Sequence, residues 1–591
     1  MVPSLESVKA YCEVSVVEER LLRSPEAPIV LLRRATGPPI GLAADPGSIR
    51  ELIRPKDGAT KSDNDAGEFI AGCNCMHTSW ERRLPAGTSA IPRNSLCRQD
   101  AGAPRGALAL SGDQFPAGSV APGNPYLGIM LPYAPLHHLL MADLNFPIVA
   151  TSGNRAEEPI CTKEKEALAV LGDLADLFLI HNRPIARPVD DSLARVMMGR
   201  ELVLRRARGY APLPIPIKPT AAVALAVGAH LKNTVAVSRG QEIVASQHIG
   251  DMATPRAWEV FQEAIHSFTS LYNLNYASVM CDAHPDYRTA LFAKQSGQPV
   301  QKVQHHFAHV LSGMADNGLE DSVLGVAWDG AGYGLDGTLW GCEFLYVTNN
   351  AFHRVAHLRP FRLPGGEKAI HEPRRSALGL LYEIMGEGLF EKSDHLRRSD
   401  LYPPLRSFSP SERQALHVVL RRAINAPLTT SAGRLFDAVA SLVNLRQVAT
   451  FEGQAAMELE FACDGMTVNE SYEFEMSQAG AVDGSSPLVI NWAPTVLSIV
   501  KDCRADESIG KISARFHNTL VEIIVAVARR IRQARVLLTG GCFQNKYLTE
   551  RAIARLRAEG FLPFWHQRVP PNDGGIAVGQ ALAAARQSLA E

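Results

Sequence analysis

Two histidines and an aspartate in the middle of the chain have the types and spacing of metal ligands. His305 and His309 stand at positions i and i+4 of a helical pattern, so both imidazoles face one side of the predicted helix. Two imidazoles one turn apart can bind a single cation. Asp329 follows the apolar run VLGVAW, which predicts a carboxylate at the end of a buried strand. Together these residues favour a metal site, whereas the histidines alone would equally fit a helix start with one core histidine.

Glycine-rich loops after two of the apolar strands could bind phosphate. The first follows Asp329 directly and contains Gly330, Gly332, Gly334 and Gly337. Backbone amides in such a loop can approach phosphate closely. The second follows the strand RVLLT, where Gly540 and Gly541 lead into a helix predicted to begin near residue 544. A helix start presents amides and a positive dipole end to an anion. Neither loop is a G-x-G-x-x-G fingerprint or a Walker P-loop, so we predict a nucleotide site of another kind.

Two further segments carry polar residues at candidate site positions. FPIVATSGN leads an apolar strand into Thr151, Ser152 and Asn154, which could bind phosphate or form only a turn. Asp573 stands before two glycines at a helix start, where it could close a site from a second lobe or act as a helix cap. Asp282 also follows an apolar strand directly.

The elements that position these residues predict two α/β domains. Strands, glycine loops and helices alternate, with the proline-rich LPIPIKPT interpreted as part of a linker at 213–221. Residues 1–212 and 222–591 would form the two domains. Residues 43–118, rich in Gly, Ser, Asp and Arg and without periodicity, are interpreted as a disordered insertion.

Composition excludes several classes of protein. The 591 residues are 46% hydrophobic and 20% charged, and the formal net charge is -1, so no global charge favours nucleic acid or anionic membrane. The sequence shows neither a signal pattern nor an apolar run of membrane-spanning length, which predicts a cytoplasmic protein. Ten scattered cysteines suggest no disulfide framework, and the pair Cys73 and Cys75 lacks the second pair of a typical zinc site.

A succession of motifs between residues 125 and 581 resembles the HypF-type carbamoyltransferases of nickel–iron hydrogenase maturation. The segments that carry the resemblance are YLGIMLPYAPLHHLL, VATSGNRAEEPI, NRPIARPVDDS, RRARGYAP, VGAHLKNT, SQHIGDM, CDAHPDY, VQHHFAHV, WDGAGYGLDGTLWG, SAGRLFDAVASL, FEGQAAMELE, GGCFQNKYL and PPNDGGIAVGQA. The resemblance implies a partial YrdC-like α/β domain followed by a duplicated actin-like ATPase-type domain.

The resemblance also implies an activity. The YrdC-like domain would form carbamoyl adenylate from carbamoyl phosphate and ATP with Mg, and the second domain would pass the carbamoyl group to the C-terminal cysteine of the partner HypE. Metal ligands carried over by motif are His305, His309, Asp329 and Asp573, which would hold iron or zinc as a Lewis acid. His306, between the two ligand histidines, is expected to be structural or to support the ligands without binding the metal.

Nucleotide contacts are likewise carried over by motif. The loop residues implied are Gly332, Gly334, Gly540, Gly541 and Asn545. Asp437, in the first turns of the helix predicted for SAGRLFDAVASL, would contact the ribose. Thr151, Ser152 and Asn154 would line the adenylate-forming pocket.

The chain departs from the family pattern at its start. It has no counterpart of the acylphosphatase-like domain, the zinc-finger modules or the opening strands of the YrdC-like domain, so we expect an N-terminally truncated member that depends on supplied carbamoyl adenylate. Two alternatives stay open at this stage. One is an O-carbamoyltransferase of small-molecule biosynthesis, and the other is an inactive product that only binds nucleotide or partner.

Overall fold

The computed structural model of the chain describes residues 1–35, 69–71, 120–156, 158–349, 351–393, 396–397, 402–478 and 486–587. The insertion predicted at 43–118 lies outside the described residues apart from Phe69–Ala71, and so do Cys73 and Cys75. No helix of the described part is long and apolar enough to cross a membrane.

Helices and strands both occur throughout the described part of the chain. The helices are α1 (Leu5–Tyr11), α2 (Val16–Leu22), α3 (Pro135–Leu144), α4 (Glu164–Leu171), α5 (Pro255–Tyr272), α6 (Arg288–Gln295), α7 (His305–Asp316), α8 (Lys368–His371), α9 (Pro373–Met385), α10 (Pro403–Arg406), α11 (Pro410–Arg422), α12 (Ala432–Leu442), α13 (Gln454–Ala462), α14 (Ala493–Arg504), α15 (Ile509–Ile531), α16 (Lys546–Ala558) and α17 (Ile576–Gln587). The strands are β1 (Ile29–Arg33), β2 (Phe69–Ala71), β3 (Tyr126–Ile129), β4 (Leu177–Leu179), β5 (Leu193–Met197), β6 (Arg200–Arg205), β7 (Ile215–Ala226), β8 (Ala236–Ala245), β9 (Ser278–Asp282), β10 (Val300–Val303), β11 (Val323–Tyr333), β12 (Leu339–Val347), β13 (Phe352–Leu358), β14 (Phe361–Arg362), β15 (Lys392–Ser393), β16 (Leu396–Arg397), β17 (Leu428–Thr429), β18 (Glu475–Gln478), β19 (Leu488–Asn491), β20 (Arg535–Thr539) and β21 (Leu562–Trp565).

The chain divides into two compact units. The first unit comprises Met1–Glu13, Arg34–Pro122 and Ile129–Val189, and the second comprises Val14–Arg33, Gly123–Gly128 and Asp190–Glu591. Residues 190–212 therefore belong to the second unit, which differs from the predicted boundary at residue 212. In the first unit, α1 begins at a serine cap, since Ser4 Oγ accepts the Ser7 amide at 3.2 Å.

Three sheets make up the framework of the second unit. Strand orders are β3-β1-β5-β6, β10-β9-β7-β8, and a nine-stranded sheet whose main path is β18-β19-β13-β12-β11-β20-β21. The strands β9 and β10 run parallel, and so do β11 and β20. The carboxyl ends of parallel neighbours lie at the same sheet edge, where α/β proteins commonly build their sites.

Residues 215–221 of the predicted linker lie in a strand, because β7 begins at Ile215. Ile215 and Ile217 are buried, and Pro216 stands opposite Glu242 in the antiparallel pairing with β8. The pairing with β9 involves only residues 224–226. Prolines fit this first half of β7 because a strand paired on one side need not donate on the other.

The helix α7 is the central support of the second unit. Ten of its twelve residues are buried, and its apolar side chains join β7, β8 and α17 in one core. A Cβ atom at Gly579 of α17 would lie 1.9 Å from the Ala308 carbonyl oxygen. Only glycine therefore allows α17 to approach α7 this closely, and the contact fixes the segment that precedes α17.

The strand β11 is longer than predicted. It was expected to end at Trp328, but it continues to Tyr333, with a register shift against β12 between Trp328 and Gly332. Asp329 and the first glycines of the predicted loop therefore lie in an irregular strand segment. Such irregularities redirect side chains locally, and here the segment includes the carboxylate.

Candidate metal centre

Four side chains converge in the second unit. His305 and His309 come from the first turns of α7, Asp329 from β11, and Asp573 from a short 3-10 turn that precedes α17. One ligand atom of each lies within 4.8 Å of all the others. The Nε2 atoms of His305 and His309 lie 3.5 and 3.4 Å from Asp329 Oδ2, and both lie 3.7 Å from Asp573 Oδ1.

These distances fit four ligands around a small divalent ion better than they fit direct hydrogen bonds between the imidazoles and the carboxylates. They exceed the donor–acceptor distance of an ordinary N–H···O hydrogen bond, and neither Nε2 atom has a hydrogen-bond partner within the described residues. Ligands at about 2.1 Å from a tetrahedral ion are separated by about 3.4 Å from one another. The two histidines are fully buried and Asp329 is 8% exposed. Buried ring nitrogens without an ion or a proton would therefore destabilise the folded state.

Three of the ligands are held by further hydrogen bonds or by a cap. Asp282 Oδ2 lies 2.8 Å from His305 Nδ1, and the Gly541 amide donates to Asp329 Oδ1 at 3.0 Å. Asp573 follows Asn572, whose Oδ1 accepts the amide of Gly574 at 3.0 Å. Asn572, rather than Asp573, is therefore the cap of this turn, which leaves the Asp573 carboxylate available to the cluster.

The charges of the cluster perturb one another strongly. Burial alone would lower the pKa of His305, but the carboxylates of Asp282 and Asp573 outweigh it and hold that pKa well above its ordinary value. Burial would likewise lower the pKa of His309, but the nearby carboxylates of Asp329 and Asp573 raise it. Burial would raise the pKa of Asp573, yet the imidazoles lower it to about 2. The imidazoles and the carboxylates thus favour one another's charged forms.

His306 and Gly332 shape the wall of the centre. A Cβ atom at Gly332 would lie 2.6 Å from His305 Cδ2 and 2.7 Å from His306 Cε1, so this glycine lets β11 pass against both rings. Gln304 Nε2 lies 3.3 Å from His306 Nδ1. Burial and the neighbouring imidazoles lower the pKa of His306 well below its ordinary value. His306 thus packs beside the cluster without joining the four ligands.

The predicted nucleotide loops adjoin the cluster. Gly540 has a φ of 98°, and a Cβ there would meet the Trp328 carbonyl oxygen at 2.1 Å. The same turn presents the Gly541 amide to Asp329. Gly334 lies farther along and packs against Trp340, whose Nε1 would be 2.3 Å from an added Cβ. These glycines therefore allow close packing of the two loops around the carboxylate.

Asp437 lies in the second turn of α12 and is almost fully buried with Arg434. The Arg434 Nη2 and Asp437 Oδ2 atoms are 3.0 Å apart, but Nε and Nη1 of Arg434 have no hydrogen-bond partner in the described part of the chain. Burial raises the pKa of Asp437 to about 6, against the effect of Arg434. Buried donors without partners are expected where a ligand supplies the missing acceptors.

Asn545 is already engaged with protein groups. Its Oδ1 accepts the Leu548 amide at 2.9 Å as the cap of α16, and its Nδ2 lies 2.9 Å from His517 Nε2. Thr151, Ser152 and Asn154 belong to the first unit. Thr151 and Ser152 are exposed, while the Asn154 amide donates to the Arg155 and Glu158 carbonyls at 2.9 and 2.7 Å and so stabilises its own turn.

Two contacts near the cluster were not predicted from the sequence. The sequence predicts Asp282 only as a residue at a strand end, and its hydrogen bond to His305 is not predicted. Lys232, at a φ of 47°, donates to Glu452 at 2.9 Å, and Glu452 lies 3.7 Å from the position of a Cβ on Gly330. No periodic pattern in the sequence links residues that are so far apart along the chain. The positive φ of Lys232 is a conformation that a glycine, but not a lysine, would have indicated.

Three family models match the chain. The model described as "Carbamoyltransferase, Kae1-like Domain, second subdomain" matches residues 325–580, and the "HypF Kae1-like domain" matches residues 219–316. A third, the Sua5, YciO and YrdC model described as "Telomere recombination", matches residues 108–207. The order of the three models along the chain agrees with the order predicted from the motifs.

Curated relatives carry the same family name. The chain is 42% identical over 479 residues to carbamoyltransferase HypF of Synechocystis sp., with 79% of the chain and 60% of that relative covered. It is 32% identical over 394 residues to a carbamoyltransferase HypF homolog of Cupriavidus necator, with 64% of the chain and 95% of that relative covered. The chain thus spans about three fifths of the first relative and nearly all of the second.

Two solved structures share the fold. A full-length HypF crystal structure in the phosphate- and nucleotide-bound form has a TM-score of 0.79 and 35% identity, and covers 99% of this chain and 65% of that one. The HypF structure from T. kodakarensis has a TM-score of 0.77 and 28% identity, and covers 100% of this chain and 67% of that one. The predicted α/β fold class, with a YrdC-like part followed by a Kae1-like part, is confirmed.

Proposed function

Since the chain belongs to the HypF family of carbamoyltransferases, we propose that it transfers an activated carbamoyl group at the candidate metal centre. The observation that carries the proposal is the convergence of His305, His309, Asp329 and Asp573 around unpaired imidazole nitrogens. Two nitrogen and two carboxylate ligands suit a borderline divalent ion such as iron or zinc. All four residues are proposed to act in catalysis through that ion.

The proposed reaction starts from ATP, bound with Mg, and carbamoyl phosphate. Carbamoyl adenylate is the proposed intermediate, and its formation releases phosphate from carbamoyl phosphate and pyrophosphate from ATP. The C-terminal cysteine of a HypE-type maturation protein is the proposed acceptor. In the transfer step the cysteine sulfur, without its proton, attacks the carbamoyl carbon. The bond from that carbon to the phosphate oxygen breaks, AMP leaves, and a thiocarbamate remains on the acceptor.

The residues of the centre have distinct tasks in this proposal. A bound divalent ion would act as a Lewis acid toward the phosphate or carbamoyl oxygen. The chain itself holds the ligands in fixed positions, with Gly541 donating to Asp329 and Asp282 bonded to His305. Burial of both histidines keeps bulk water from this side, which matters because an acyl adenylate hydrolyses readily.

The nucleotide contacts are proposed from residues beside the centre. Asp437 would contact the ribose, and the partnerless donors of Arg434 in the same buried pair support a polar ligand there. The loop at Gly540 and Gly541 would approach the phosphates. Gly332, Gly334 and Asn545 are proposed to shape this site, because their contacts are with protein groups.

Adenylate formation is proposed for the first unit. Thr151 and Ser152 are the candidate contacts of its pocket, because both are exposed and polar. Asn154 would support them by holding the turn. The two steps can be measured separately, since exchange of labelled pyrophosphate into ATP reports adenylate formation alone.

The transfer step is tested by intact mass. The purified chain is incubated with zinc or iron and a peptide with the HypE C-terminus, once with ATP, Mg and carbamoyl phosphate and once with supplied carbamoyl adenylate. A gain of about 43 Da on the peptide, one carbamoyl group replacing a hydrogen, is expected. His309→Ala should abolish the gain, because it removes a ligand. Failure of the parent chain to modify the peptide, beside an active HypF from Synechocystis sp., would contradict the proposed function.

A further inference from the structure

Asp282 is bound to one of the four candidate ligands although it is not one of them. Its Oδ2 lies 2.8 Å from His305 Nδ1, and the two side chains are 1% and 0% exposed. Its Oδ1 accepts the backbone amide of His284 at 2.9 Å. Each carboxylate oxygen therefore has its own partner, and the side chain is fixed at both ends.

This contact decides which nitrogen of His305 carries the hydrogen. A carboxylate accepts, so Nδ1 must donate, and the lone pair of a neutral imidazole then lies on Nε2. Nε2 is the atom that faces Asp329 and Asp573, and it has no hydrogen-bond partner in the described residues. The contact with Asp282 thus directs the binding lone pair into the cluster.

The second histidine has no comparable support. His309 Nδ1 is buried and has no hydrogen-bond partner among the residues that the structure describes. Within the pair of imidazoles, only His305 has its ring orientation and tautomer set by a carboxylate. A divalent ion would therefore meet one prearranged imidazole and one that is held by packing alone.

Strand pairing explains how Asp282 reaches this place. Asp282 ends β9, Val303 ends β10, and the two residues are partners in the parallel pairing. The chain turns into α7 directly afterwards, so His305 follows Val303 by two residues. The position of the carboxylate is thus built into the sheet edge and does not depend on a flexible loop.

We infer that Asp282 is a positioning residue of the divalent-ion centre, which holds His305 in the tautomer and orientation that bind the ion. The inference rests on the proposed metal-dependent function. Carboxylates that orient a metal-binding histidine typically change metal affinity by about 10–100-fold when they are replaced.

Asp282→Asn is the sharpest variant because the structure dictates how the amide would turn. The His284 amide needs an acceptor, so the asparagine oxygen stays at the Oδ1 position and its NH2 group faces His305. The imidazole must then accept at Nδ1 and carry its hydrogen on Nε2, toward the ion. Asp282→Ala removes the acceptor without imposing the wrong tautomer.

Co²⁺ alone is the probe, because its visible spectrum reports the geometry of its ligands. Its dissociation constant and spectrum are measured with the metal-free full chain, Asp282→Asn, Asp282→Ala and Glu387→Gln. Glu387→Gln is the matched control, since Glu387 contacts His417 in another carboxylate–imidazole pair outside the cluster. Thermal unfolding of each metal-free protein shows whether it is folded.

The expected order of Co²⁺ affinity is parent and Glu387→Gln first, Asp282→Ala next, and Asp282→Asn last, about 10–100-fold below the parent. A loss of packing alone would make alanine the weaker variant, and that order overturns the inference. A folded Asp282→Asn that binds as tightly as the parent overturns it too. If Asp282→Asn does not fold, the Co²⁺ affinity of Asp282→Ala is used instead. An affinity of Asp282→Ala equal to that of the parent then overturns the inference. If the parent chain binds no Co²⁺, both the metal centre of the proposed function and this inference are refuted. If the parent binds Co²⁺ tightly and the Asp282 variants bind it equally well, only the inference is refuted.

Discussion

Replacing Gly332 by alanine should weaken metal binding, because no room exists for a methyl group between β11 and two histidine rings. The added Cβ would lie 2.6 Å from His305 Cδ2 and 2.7 Å from His306 Cε1. Ordinary carbon contacts are about 3.5–4.0 Å, so the rings must retreat by about 1 Å. His305 cannot retreat freely, since its other side is bonded to Asp282.

The size of the effect follows from these distances. Metal–ligand distances tolerate about 0.2 Å, so a displacement of about 1 Å at His305 removes it from the coordination geometry. We expect Co²⁺ affinity to fall by about 10–100-fold, the range typical for losing the support of a ligand. Overpacking of a buried site should also lower the free energy of unfolding by about 1–3 kcal/mol.

The chain offers a matched control two residues earlier. A Cβ at Gly330 would have its nearest neighbour, Glu452 Oε1, at 3.7 Å, which is an ordinary contact. Neither Gly330 nor Gly332 has a positive φ, so alanine brings no backbone strain at either position. Gly330→Ala should therefore bind Co²⁺ and unfold in urea like the parent.

The assay is Co²⁺ titration with chelator competition, together with urea unfolding of the metal-free proteins. If Gly332→Ala keeps both the affinity and the unfolding free energy of the parent, the close packing of Gly332 against the histidines does not set the geometry of the centre. Equal losses in Gly330→Ala and Gly332→Ala would refute the reasoning as well, since only one position is crowded.

Two further predictions concern acidity and the fourth ligand. Burial lowers the pKa of His517 to about 4, so the folded state binds fewer protons than the unfolded state between about pH 6.5 and 4. The contribution of His517 to the free energy of unfolding is complete above that window, and about 3 kcal/mol is lost as the pH falls through it. Urea unfolding at pH 7 and 4.5 should therefore show a smaller loss of unfolding free energy for His517→Gln than for the parent. Asp573→Asn should bind Co²⁺ at least about tenfold more weakly, so that saturating Co²⁺ raises the melting temperature less than in the parent, and an unchanged rise would contradict its place among the ligands.

The helical half of the centre could be predicted from local sequence. The i and i+4 spacing of His305 and His309 predicts that both lie on one face of a helix, and both lie in α7 at that spacing. Asp329 is predicted from the apolar run before it, and it lies in β11 with Oδ2 3.5 and 3.4 Å from the two Nε2 atoms. These features depend on the periods of helix and strand, which a single sequence displays directly.

The remaining parts depend on packing between distant segments. Asp573 reaches the cluster because α17 packs against α7 at Gly579, and no local pattern predicts which helices meet. The role of Asp282 did leave a signal, since parallel strands that end in an acid and lead into a histidine share one sheet edge. The strand within the predicted linker could not be recognised from sequence, because the prolines in LPIPIKPT suit a half-paired strand as well as a linker.

The order in which the ligands occur along the chain has a consequence for synthesis. His305, His309 and Asp329 emerge from the ribosome together, but Asp573 follows only after β12 to β21 have been translated. A nascent chain that has reached β20 holds three of the donors and lacks the last acid. In the proposed centre, capture of an ion by all four side chains would therefore wait for α17 to dock on α7, and cation loading would be a late step that reports a correctly assembled lobe.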